Sequence, residues 1–129
     1  MRLLIAFFVC FLALPVHACM GRILEDTLFF EALPGPQLEA DLIARVLLSD
    51  VERGRARAEI VEVVTTSGVE VHEGQHFLLE SAFSSCGPNH RDDDQGMIIA
   101  KLAEGDKRVL LPYLRRFSDG RITRPSADQ

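Results

Sequence analysis

Arg55-Ala56-Arg57-Ala58-Glu59-Ile60-Val61-Glu62-Val63 decides the fold class. From Arg55 to Ile60, charged residues alternate strictly with small or apolar ones. That is the period of a strand with one face in a core and the other in water. The alternation slips at Ile60-Val61 and resumes on Val61 and Val63. A one-residue slip predicts a β-bulge, the device that bends a strand around a barrel corner.

Working outward, Ala40 to Leu48 is apolar and rich in branched residues, which predicts a strand. Ser49 to Gly54 reads as a polar turn joining it to Arg55. Downstream, Thr65-Thr66-Ser67-Gly68 turns, and Val69-Glu70-Val71 reads as a short strand or extended piece. His76 to Glu80 is a strand with Phe77 and Leu79 on one face. Ser81 to Asn89 is a loop centred on Cys86, and His90-Arg91-Asp92-Asp93-Asp94-Gln95-Gly96 is a charged, solvated loop. Met97 to Leu102 is a strand, Ala103 to Lys107 a hairpin turn with Gly105 at its tip, and Arg108 to Leu114 the return strand. Pro112 suits an edge or a bulge. Arg115 to Ile122 adds a turn or short helix.

Upstream, Asp26 or Thr27 is placed to cap one or two helical turns over Leu28–Leu33, which Pro34-Gly35-Pro36 ends. Phe29 and Phe30 read as core plugs. The pattern is therefore all-β with minor α: a five-stranded antiparallel barrel of OB type, whose closure removes the sheet's edges.

The ends of the chain bear on its compartment. Met1-Arg2, the apolar run Leu3–Leu14, Pro15 and Val16-His17-Ala18 form the pattern of a secretory leader. Residues 1–18 are thus expected to be a signal peptide, 19–122 the folded domain and 123–129 a flexible tail, in a secreted or periplasmic protein. Lys and Arg number 14 against 19 Asp and Glu. The leader carries Arg2 and no acid, so the mature chain has 13 against 19, a net charge of −6. An acidic balance disfavours nucleic acid, whose phosphates call for clustered cations. No second apolar run is long enough to cross a membrane.

Cys10 leaves with the leader, so Cys19 and Cys86 are the thiols of the mature chain. In an oxidising compartment they are expected to pair. Closing so long a loop stabilises by about 4–5 kcal/mol on the chain-entropy model. The rival is lipid modification of Cys19, although His17 departs from the small residue usual before a lipidated cysteine.

Few residues suggest catalysis. His72 and His76 flank a glycine turn, and His90 precedes an Asp run without the alternate spacing and closing Glu of a calcium loop. No metal site and no cofactor is expected. Ser84 and Ser85 lack a glycine-flanked elbow and a patterned base, so no enzyme is expected either.

The leader-then-Cys19 start, the strand pattern Ala40–Leu48 then Arg55–Val64, the turn at His72-Glu73-Gly74, the strand Gln75–Ser81, Ser84-Ser85-Cys86-Gly87 and apolar Met97–Leu102 resemble the netrin-like domain. Within it, the pattern is similar to the tissue inhibitors of metalloproteinases. The resemblance covers roughly residues 19–120. It implies that Cys19 is bridged to Cys86 in the Ser84–Gly87 loop. It also implies that the free amine and carbonyl of Cys19 chelate a protease's zinc while Met20 enters the specificity pocket beside Ser84 and Ser85. An α-amino group, with a pKa near 8, deprotonates at low cost for such a role. Gly21 stands where those inhibitors carry a second cysteine. The resulting expectation is a monomeric, non-enzymatic binding protein with a protein partner, a zinc metalloprotease. The alternative is a cell-envelope interaction or assembly module, lipidated or not, without inhibitory activity.

Overall fold

The computed structural model describes residues 26–35, 38–52, 54–80 and 90–125. Eight strands run in order: β1 (Asp26–Thr27), β2 (Leu42–Glu52), β3 (Arg55–Thr66), β4 (His76–Glu80), β5 (Gln95–Ala103), β6 (Asp106–Pro112), β7 (Leu114–Arg116) and β8 (Ile122–Thr123). Five of them close a barrel in the order β2-β3-β4-β6-β5, and β1, β7 and β8 form a small second sheet. The expected OB-like barrel is therefore present. Its neighbours are antiparallel with one exception. The β4–β6 contact is parallel, through Leu78↔Val109 and Leu79↔Leu110, so the barrel is mixed rather than purely antiparallel. The strand order leaves these two strands side by side with the same direction.

Alternation decides what enters the barrel. Leu42, Ala44, Val46 and Leu48 of β2 are buried, as are Ala56, Ala58 and Ile60 of β3. Ala58 pairs with Phe77 and Ala56 with Leu79, so small residues on β3 make room for large ones on β4. Ile98, Ala100 and Leu110 complete the wall, and Leu28 reaches in from the N-terminal lead-in as part of the same cluster.

On the outside of the barrel, Phe30, Met97, Ile99 and Tyr113 form a second cluster, joined by Leu38, Ala40, Ile43 and Ile122. β5 is thus buried on both faces, which is why Met97–Ala100 is uninterruptedly apolar rather than alternating. The Tyr113 hydroxyl donates to the Glu39 carbonyl at 2.6 Å.

The expected bulge is present. The β2–β3 register steps from Val46↔Ile60 to Arg45↔Glu62, leaving Val61 without a partner. A second step, from Ala44↔Val63 to Ile43↔Thr65, does the same for Val64. Both valines are left exposed. Glu104-Gly105 turns the β5–β6 hairpin as expected, with Ala103 opposite Asp106 and Gly105 at φ 87°.

Other expectations are corrected. No helix covers Leu28–Leu33. Asp26 and Thr27 pair with Arg116 and Arg115, and Phe30 bridges Met97. The Leu28 amide donates to His90 in the loop before β5 and the Phe30 amide to the Met97 carbonyl, and Thr27 Oγ1 accepts from the Phe29 amide at 3.1 Å instead of capping a helix. Tertiary burial of Leu28 and Phe30 outweighs local helix preference. β2 runs on through the expected polar turn to Glu52, with a register irregularity after Ser49 where Asp50 takes φ 50°. Arg115–Ile122 is a β-hairpin, not a helix; the Gly120 amide closes it on the Arg116 carbonyl. Val69–Val71 joins no ladder. Among the described residues, no helix is long and apolar enough to cross a membrane.

Candidate functional site: the clamp on the N-terminal lead-in

The chain upstream of the barrel is fixed by a clamp centred on His90. Leu28 joins the inner cluster and Phe30 the outer one, and the Phe29 ring between them packs at the edge of the inner cluster over the β5 backbone at Gly96. A Cβ at position 96 would run into the Phe29 ring, so only glycine admits it. Phe29 then meets the His90 ring edge to face, with centroids 4.7 Å apart. From β7, Arg115 Nε donates to the Phe29 carbonyl at 3.2 Å.

His90 is the polar centre of this contact, with 9% of its side chain exposed. Its Nε2 lies 3.1 Å from the Leu28 amide nitrogen. Nε2 must accept that bond, so the ring proton resides on Nδ1 and points to Asp94 Oδ2 at 3.3 Å. The same carboxylate oxygen accepts from the Arg91 amide at 3.0 Å. Burial holds the imidazole below its ordinary value of 6.5, against the opposing pull of the Asp94 hydrogen bond and charge.

The acidic loop is built into the barrel rather than merely solvated. Asp92 Oδ1 accepts from the Val51 amide at 2.9 Å, and backbone bonds join Asp93 and Asp94 to Leu48. Asp93 takes φ 71° to make the turn. Nothing in the sequence marked His90 as buried. The available signals were the i,i+4 spacing of His90 and Asp94 and the unbranched backbone at Gly96, and both acquire meaning only once Phe29 is placed.

Cys19, Met20, Ser84, Ser85, Cys86 and Gly87 lie outside the described residues. Among the described residues the other two histidines take separate places: His72 Nε2 contacts Glu70 at 3.2 Å, and His76 lies on β4. Among the described residues, no three His, Cys, Asp or Glu side chains gather as metal ligands. A shallow groove of about 380 Å³ follows the β4–β6 seam, lined by Leu78 and Val109 together with Arg57, His76, Asp106 and Arg108. Arg57 and Arg108 face Asp50 and Asp106, so both arginines of the groove have a carboxylate partner.

No family model matches this chain, and no curated protein or solved structure matches it either.

Proposed function

We propose that the protein is a secreted or periplasmic, non-enzymatic binding protein of netrin-like type. It docks a zinc metalloprotease with a disulfide-tethered N-terminus, Cys19-Met20, and the adjoining Ser84-Ser85-Cys86 loop. The observation that supports this reading is the bond between the Leu28 amide and His90. Leu28 is nine residues from Cys19, and His90 is four from Cys86. At up to about 3.6 Å per residue, these stretches reach at most about 32 Å and about 14 Å. Leu28 and His90 are in direct contact, and the reach of each stretch is compatible with a Cys19–Cys86 bridge. A terminus fixed in this way loses little freedom on docking.

The reading is tested by adding the mature protein to a panel of zinc proteases beside a form carrying one extra N-terminal residue. Inhibition by the native form and its loss on extension is the expected result. Equal effects of the two forms, or none, would overturn it.

A second reading, a cell-envelope interaction module, draws on the exposed Val61 and Val64 at the β3 bulges. Phe30 is not free for that role because it is buried. Under this reading, partner capture survives N-terminal extension and fails in V61T/V64T.

A further inference from the structure

His90 is the only described link between the loop that follows Cys86 and the lead-in that follows Cys19 in which a titratable ring takes a backbone amide. The bond depends on a lone pair at Nε2. A second proton on the ring would occupy that lone pair and set an N–H against the Leu28 N–H. The charge would also sit against Phe29 in a site with little access to water.

The charged groups around the ring are few. Asp94 faces Nδ1 from the same loop, while Asp92 is engaged by the Val51 amide and Arg91 is exposed. The lead-in contributes Asp26, held near Arg116 at 3.7 Å, and no ionisable group at Leu28 or Phe29. From β7, Arg115 is occupied by the Phe29 carbonyl and by Glu31. At its start β5 offers Gln95 and Gly96, neither ionisable. A single carboxylate thus opposes burial and the loss of the acceptor.

We infer that His90 is a proton-operated latch on the N-terminal lead-in: the neutral ring holds Leu28 against the barrel, and the doubly protonated ring releases it. Mild acid then loosens the anchorage of the lead-in behind the docking N-terminus and weakens partner binding, a consequence that rests on the function proposed above. The lowered imidazole value is in keeping with this, since the fold favours the neutral form.

The test follows the Leu28 amide and the His90 ring by NMR in the mature protein, with no partner present. Protection of the Leu28 amide from hydrogen exchange is expected to fall by about tenfold or more between about pH 7.5 and about pH 5, in step with the ring's titration. The Ser67 amide, bonded to the Asp41 carbonyl just before β2, should not change. H90Q keeps an acceptor without titrating, so Leu28 should stay protected at both pH values. H90F should leave it unprotected at both. D94N removes the carboxylate that favours the charged ring and should move the midpoint to lower pH. Constant Leu28 protection through the His90 titration would overturn the latch. So would a loss in H90Q as steep as in the parent, or, if H90Q does not fold, an unmoved midpoint in D94N. Absence of protease inhibition would overturn the docking reading alone, because the latch is read without a partner.

Discussion

Gly96 and Phe29 show how far one missing methyl can reach. The ring lies on the bare backbone of Gly96 and so meets His90 at the angle that lets Nε2 find the Leu28 amide. G96A is expected to displace Phe29 and to destabilise by about 1–3 kcal/mol, the usual range for overpacking, as read by chemical denaturation. In an F29A background the same change should cost much less, because the clash is gone. Y113F removes the hydroxyl bonded to Glu39 and leaves that carbonyl short of a donor, at a cost of about 0.5–1.5 kcal/mol. Neither contact could be read from sequence. Glycine before an apolar strand is ordinary, and Phe29-Phe30 reads as core whichever way each ring points.

Among the elements, what was legible follows the strength of the periodic signal. β3 announced itself by strict alternation and announced its first bulge by the slip at Ile60-Val61. The second bulge, at Val64, was masked because Val63-Val64-Thr65-Thr66 offers no contrast between faces. β4 was readable to the residue, with Phe77 and Leu79 inward. The lead-in was misread because a short apolar run bounded by Asp, Thr and Pro satisfies helix rules as well as strand rules. Only the vacant surface of β5 decides between them. That surface leaves Ile99 fully buried in the outer cluster, so I99A is expected to destabilise by about 2–5 kcal/mol, read by chemical denaturation. The parallel β4–β6 contact has two register pairs against six between β2 and β5. Native-state exchange should accordingly find the amides of Leu78–Glu80 and Val109–Leu111 less protected than those of Leu42–Leu47.

For the whole molecule, stability should depend on pH through the clamp. The folded state holds His90 below 6.5, so the unfolded chain binds more protons as the pH drops beneath that value. The clamp's contribution is then fully present above about pH 6.5 and is lost as the pH falls through the folded value; H90Q should flatten that part of the curve. The barrel was legible because a global pattern of short alternating runs survives local errors. The clamp was not, because it joins residues 62 positions apart through one hydrogen bond. Tyr113 adds a practical consequence. The chain contains one tyrosine and no tryptophan, so its ultraviolet emission comes from a single phenol. That phenol is seated in the outer cluster and tied to the strand-free segment at Glu39. Intrinsic fluorescence is therefore a label-free gauge of whether the outer layer has closed over the barrel, and stopped-flow refolding could time that closure separately from formation of the barrel's interior.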